Sequence, residues 1–410
     1  MRRVVVTGVG IVSPLGAGYG AFAEAILDGR CAVGPIRAFD ARTFAATVAA
    51  EATLDEREVA ACAEATGCDP LALRIDRKLV FGVRAARQAI AHAFDGAPPP
   101  GLALSFGIGL EVLLLPDVAS LYDPAKRDLD ASRLPIPRRK NALRLSLDHV
   151  VDAIANAGAR GRRRAYVAAC ASGTQAVGEG ASWIARGAAD AVLAGATDSM
   201  VNPMGVGCFS LLGALSPRAA ADACRPFHRD RDGTVIGEGA AFFVLESLDG
   251  ARARGARPLA EILGYASSLD AHRVTAPHPR GDGARRAMAN VLARAGRPRI
   301  GYVNAHGTGT PQNDAVEVQA IRATVGETAI GATKSQVGHA MAAAGALELA
   351  ATLLCFTHGR CAPTAHLGAL DPACAADHVV APRAFSGDAA LKNSFGFGGQ
   401  NASIVVGGAP

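Results

Sequence analysis

Short apolar, β-branched runs alternate along this chain with alanine-rich stretches whose apolar positions recur at helical spacing. Val4 to Thr7, Ala191 to Gly195, Ala241 to Leu245, Tyr302 to Asn304 and Ser403 to Val406 predict strands. Phe22 to Leu27, Val83 to Phe94 and Arg286 to Ala295 predict helices. Alternation of this kind predicts an α/β fold, and strands that read as continuously apolar imply sheets covered on both faces. One junction stands out. The run Val167 to Thr174 (VAACASGT) sets a cysteine between the small apolar stretch Ala165–Ala169 and the helical spacing of Gln175 to Ala185. Cys170 is therefore expected at a helix N-terminus, where unpaired N–H groups and the helix dipole favour a thiolate nucleophile. A cysteine so placed is also a common space-filling core residue.

Composition narrows the class. With 410 residues, 50% of them hydrophobic and 19% charged, the chain can bury a large core and is not disordered. The length suits two or three ordinary domains, whereas 47 glycines and many short apolar runs suit one large, closely packed body. The clearest seam is Gly255-Ala256-Arg257-Pro258, which divides 1–254 from 255–410. The nine cysteines are scattered, with no CxxC pair and no zinc spacing, and read as reduced thiols. The start Met1 to Val6 breaks at Thr7, Gly8 and Gly10 and reads as a buried strand rather than a signal peptide. Ala340 to Phe356 holds Gly345 and Glu348 and is short for a membrane span, so a buried alanine-rich helix and a cytoplasmic, membrane-free protein are expected. The net charge of +5 is gathered partly in Arg133, Arg138, Arg139 and Lys140 and in Arg160 to Arg164. Without interleaved aromatics these runs suit a small acidic protein better than nucleic acid.

Two further segments carry chemistry. Val303 to Pro311 (VNAHGTGTP) and Thr333 to His339 (TKSQVGH) each place a histidine, His306 or His339, in a turn rich in small residues. Asn393 to Asn401 (NSFGFGGQN) adds a glycine-rich segment near the C-terminus. Together with Cys170 these resemble the β-ketoacyl-acyl-carrier-protein synthases, the condensing enzymes of fatty-acid and polyketide synthesis. The likeness extends to Arg3–Gly16, Asn202–Leu215, Arg225–Glu246 and Asp270–Asn290. It implies the thiolase-like fold, two similar halves forming a layered α-β-α-β-α body, with the nucleophile in 1–254 and both histidines in 255–410. No sequence repeat between the halves is visible.

The same resemblance implies a division of labour. Cys170 would carry the acyl chain, His306 and His339 would stabilise the enolate formed as malonyl thioester loses CO2, and the N–H groups of Cys170 and Phe397 would form an oxyanion hole. Lys334 and Glu317 match a charged pair behind the histidines, expected to orient His339, though a structural ion pair would look the same. Thr308, Thr310 and Thr275 would bind the phosphopantetheine arm of an acyl carrier protein, and Phe397 and Phe209 would gate and wall the acyl pocket; ordinary turn threonines and core aromatics are the alternatives. No metal or tightly bound cofactor is implied, and the assembly would be a homodimer or half of a ketosynthase heterodimer.

Departures from the family pattern matter. Ser210-Leu211-Leu212-Gly213 lacks the arginine expected after Phe209 for carrier contact, which leaves Arg138, Arg139 and Lys140 as the docking candidates. Ile108 and Glu111 fall near the deep end of the acyl pocket, where an acid suggests a polar or conjugated chain, as in polyene synthesis, or a pairing across a dimer. The stretch 117–141 would be a lid, a docking surface or a neutral insertion. Gly8-Val9-Gly10 fails as a dinucleotide fingerprint because Ser13 holds the third glycine position, and His228 to Glu238 fails as a calcium loop. Three rival readings remain: a cysteine protease, a thiolase, and a non-catalytic chain-length-factor subunit. The presence of Cys170 with two histidines stands against each of them.

Overall fold

The computed structural model describes residues 1–110, 119, 122–133 and 145–410. Its first half runs β1 (Val4–Ser13), α1 (Lys78–Ala93), β2 (Ala103–Ile108), α2 (Leu147–Asn156), β3 (Arg163–Tyr166), α3 (Ser172–Ala185), β4 (Ala191–Ser199) and β5 (Glu238–Ser247). The second half repeats the series: β6 (Ala260–Leu269), α4 (Asp282–Arg294), β7 (Ile300–Asn304), α5 (Asp314–Thr324), β8 (Ala329–Gly331), α6 (Ala344–Thr352), β9 (Ala389–Gly396) and β10 (Gln400–Gly408). Strand order is β3-β2-β4-β5-β1 in one half and β8-β7-β9-β10-β6 in the other. In each, the first two pairings are parallel and the last two antiparallel. Even the irregularity recurs: β1 slips register on β5 between Val6 and Gly8, and β6 slips on β10 between Ile262 and Gly264.

This duplication was invisible in the residues because strand order depends on which apolar run pairs with which, while the side chains of the two halves differ. The halves join where β1 meets β6 antiparallel through Val4↔Ile262, Val5↔Glu261 and Val6↔Ala260. Every residue of β1, β4 and β5 is buried, as expected of strands covered on both faces. Helices α3 and α6 pack together in the middle of the molecule, while α1 covers the β1/β5 face and α4 the β6/β10 face. That crossing needs small residues: a Cβ on Gly345 of α6 would lie 2.4 Å from Thr174 Oγ1 and 2.8 Å from the Thr174 backbone nitrogen. The alanine-rich stretch 340–356 is not one helix but a 3-10 turn (Met341–Ala343), α6, and a short helix (Leu354–Thr357). Among the described residues no helix is long and apolar enough to cross a membrane.

Candidate active site

Cys170 sits on a tight elbow between β3 and α3. Ser172 Oγ accepts from the Ala168 N–H at 2.8 Å and donates to the Ala169 carbonyl at 2.7 Å. Ala169 takes φ 48°, a left-handed conformation that costs a residue with a Cβ on the order of 1 kcal/mol. The elbow projects Cys170 ahead of the helix rather than within it, with α3 beginning at Ser172. The expected thiolate is corrected here. Burial pushes the Cys170 thiol up to about 12, with the Lys334 charge opposing, so desolvation outweighs the cation and the thiol is the resting form.

Opposite the elbow, the end of β9 brings Gly396 against it. A Cβ there would stand 2.9 Å from the Ala168 carbonyl oxygen and 3.0 Å from the Cys170 amide nitrogen, so the approach requires glycine. The following turn carries Phe397 and passes through Gly398 and Gly399 at φ 80° and 76°. It is pinned to the 270–278 loop: Gly398 N–H donates to the Val274 carbonyl at 2.6 Å, and Asp270 N–H to the Gly399 carbonyl at 2.8 Å.

The two histidines are held alike by different means. Lys334 Nζ lies 3.1 Å from His306 Nδ1 and donates to the His306 carbonyl at 2.5 Å. The backbone N–H of Met341 points at His339 Nδ1 at 3.2 Å. A donor at each Nδ1 places the ring hydrogen on Nε2. Their rings meet edge-on with centroids 5.4 Å apart. Burial first, and then the Lys334 charge, hold both well below the ordinary histidine range, so both are neutral near pH 7. The pair therefore consists of two Nε2–H donors.

A cleft of about 210 Å³ collects Cys170, His306, His339 and Phe397, with Thr308, Thr310, Thr275 and Phe209 on its walls. Phe209 and Phe397 face each other with centroids 6.4 Å apart, and Thr308 and Thr310 share a hydroxyl hydrogen bond of 2.9 Å. Its mouth includes the exposed Leu212 and Val274. No group of three metal-ligating side chains gathers among the described residues.

Residues 1–251 match the family described as "Beta-ketoacyl synthase, N-terminal domain", and residues 259–368 match "Beta-ketoacyl synthase, C-terminal domain". The chain belongs to the β-ketoacyl synthase family. It is 35% identical to the 3-oxoacyl-[acyl-carrier-protein] synthase 2 of Synechocystis sp. over 98% of this chain and 97% of that one. In fold it is similar to the ishigamide ketosynthase/chain length factor, at TM-score 0.85 and 33% identity. It is also similar to AntDE:AntF, a type II polyketide ketosynthase in complex with its acyl-carrier protein, at TM-score 0.85 and 28% identity. Both structures and this chain are covered over their full lengths. The thiolase-like α/β fold of two similar halves is thus that of ketosynthases.

Within this synthase, some sequence expectations change partner. Lys334 and Glu317 are not a pair. Lys334 bonds Glu348 of α6 and contacts His306, not His339. Glu317 of α5 instead accepts from the backbone N–H groups of His306 at 2.7 Å and Gly307 at 2.8 Å, fixing the turn that carries the imidazole. Ile108 is fully buried, packed among Leu104, Phe106 and Phe242, and does not line this cleft. Glu111, Arg138, Arg139 and Lys140 lie outside the described residues. Two site residues went unread. Glu348 stands alone in an alanine-rich helix, and Lys392 directly follows the apolar run Ala389–Leu391 in β9. Both are buried, and for Glu348 a lone charge inside an apolar run was the available signal.

Proposed function

We propose that this synthase performs decarboxylative Claisen condensation for fatty-acid or polyketide synthesis, joining a Cys170-bound acyl chain to a malonyl unit on an acyl carrier protein. The observation that carries the reading is the pair of neutral imidazoles, each with its hydrogen on Nε2, lining one cleft with a buried thiol.

Acyl transfer is a thioester exchange. Cys170 Sγ attacks the acyl carbonyl, the phosphopantetheine sulfur leaves, and the proton of the thiol ends on that sulfur, so no net base is consumed. The N–H groups of Cys170 and Phe397 would hold the tetrahedral oxyanion, Gly396 permitting their approach. Malonyl thioester then binds with its carbonyl oxygen at His306 and His339. As the C–C bond to the carboxylate breaks, CO2 departs and the electron pair becomes an enolate accepted by the two Nε2–H groups. The enolate carbon attacks the Cys170 thioester, the sulfur leaves, and it takes up a proton from solvent. Thr275, Thr308 and Thr310 would bind the phosphopantetheine arm, and Phe209 with Phe397 would separate acyl and malonyl sites. A thiolase would place a second cysteine at the reacting carbon, and Cys170 is the one cysteine lining this cleft among the described residues. A subunit that only shapes a partner's pocket would not need this constellation.

The decisive experiment offers the protein carrier-bound acyl and malonyl thioesters and follows mass added at Cys170, CO2 released and β-ketoacyl product formed. Cys170→Ala should carry no acyl mass and form no product while keeping its fold. Condensation by that variant would overturn the assignment. Charge reversal of Arg138, Arg139 and Lys140 should raise KM for the carrier substrate more than it lowers kcat, and added salt should do the same.

A further inference from the structure

One buried cation stands behind this cleft without lining it. Lys392 stands in β9, opposite Asn304 of β7, and is fully buried. Its Nζ pairs with Glu348 Oε2 at 2.7 Å, donates to the Asn393 carbonyl at 2.5 Å and bonds Ser394 Oγ. Glu348 gives its other oxygen to Lys334, the residue that holds His306. One carboxylate thus ties two lysines. The second buried acid of this group is Glu317, joined through Asn393 Nδ2 at 3.4 Å.

The titratable groups packed around Lys392 come from every neighbouring element: Glu348 from α6, Lys334 from the helical turn Lys334–Val337, Glu317 from α5, and His306 and His339 from their turns. From α3 comes Thr174, which is neutral and bonds Ser394. Lys334 and Lys392 balance Glu348 and Glu317. Without Lys392, one carboxylate charge behind the histidines would be uncompensated among side chains that are all buried.

We propose that Lys392 is a positioning residue for decarboxylation, acting through Glu348 to keep the region behind His306 and His339 from becoming net negative. The imidazoles then stay neutral donors, and an enolate growing on them meets no opposing field. The proposal rests on the condensing role given to this cleft. Two electrostatic consequences agree with it. The Lys392 charge contributes to holding both imidazoles down, behind burial and Lys334. Burial brings Lys392 itself down to about 8, so its charge should be lost on the alkaline side of neutrality.

Lys392→Met removes the charge and keeps the length of the side chain. Malonyl decarboxylation should fall about tenfold in kcat, less than the loss of a donor touching the oxyanion, with KM and acyl loading of Cys170 little changed. The wild-type alkaline limb near pH 8 should be absent from the variant. By NMR on the free protein, His306 and His339 should titrate at higher pH than in the wild type. Lys392→Met with Glu348→Gln restores the balance, leaving Lys334 against Glu317, and should recover most of the rate and bring the histidine titrations back down. If Lys392 only fills space, the double variant would be no better than the single, both titrations would stay put and the alkaline limb would persist; that outcome overturns the proposal. Should Lys392→Met fail to fold, Glu348→Gln alone should lower both titrations further, and unmoved titrations would overturn it equally. The histidine titrations need no substrate, so they judge Lys392 even if the condensation assays fail and the functional reading falls instead.

Discussion

At the scale of single residues, the geometry fixes the ring hydrogens of both histidines. Lys334 at His306 Nδ1 and the Met341 N–H at His339 Nδ1 leave Nε2–H as the group each imidazole can offer. Removing either ring should cost malonyl decarboxylation about 10²- to 10³-fold while acyl loading of Cys170 survives, a split read by assaying the half-reactions separately. Equal loss in both would contradict the division of labour. The pH dependence has a definite sign. Protonating either ring puts a hydrogen on Nδ1, where a donor already points, and burial holds both groups well below 6.5. On the acid side, kcat for decarboxylation should therefore be flat down through pH 6.5 and fall at lower pH, apart from the alkaline limb that belongs to Lys392. The sequence made Cys170, His306 and His339 legible because each lies in a short run of unusual composition, but the partner of Lys334 was not. Glu317 and Glu348 are both acids close to the histidines in sequence, and only the packing of α6 against β9 selects Glu348.

At the scale of elements, two contacts between backbones hold the reacting groups in register. Gly396→Ala would press a methyl group on the Cys170 elbow, so condensation should drop by at least tenfold while the melting temperature moves little, because the elbow rather than the core yields. Gly345→Ala acts differently. Its methyl would meet both the hydroxyl and the backbone of Thr174 at the crossing of α3 and α6, and should destabilise by about 1–3 kcal/mol, seen as a lower denaturant midpoint. The strands and helices themselves were largely readable from apolar spacing, since Val83–Phe94 and Arg286–Ala295 fall on α1 and α4. The stretch 340–356 was misread as one helix because alanine favours helix all along it, whereas the chain must turn at Met341–Ala343 to present an N–H to His339.

At the scale of the whole molecule, the two halves share strand order, pairing sense and bulge position, and the side chains proposed to be catalytic come from both. Cys170 belongs to the first half and the histidines to the second, so the site exists only where the halves meet. The middle helices α3 and α6 are buried by both halves, and separate pieces 1–254 and 255–410 would each expose one. We expect a single cooperative unfolding transition, with loss of tertiary circular dichroism coinciding with loss of activity, and no stable fold for either piece alone. A well-separated second transition would contradict this interdependence. The sequence by itself determined the α/β class, most of the elements, the family and the three side chains proposed to react, because these follow from local spacing and from residue types confined to short motifs. Tertiary structure alone decided the twofold repeat of the sheets, the pairing of Lys334 with Glu348, the protonated state of the Cys170 thiol and the buried place of Lys392. Each of these depends on desolvation or on contacts between segments distant in the chain, and neither is written in the order of neighbouring residues.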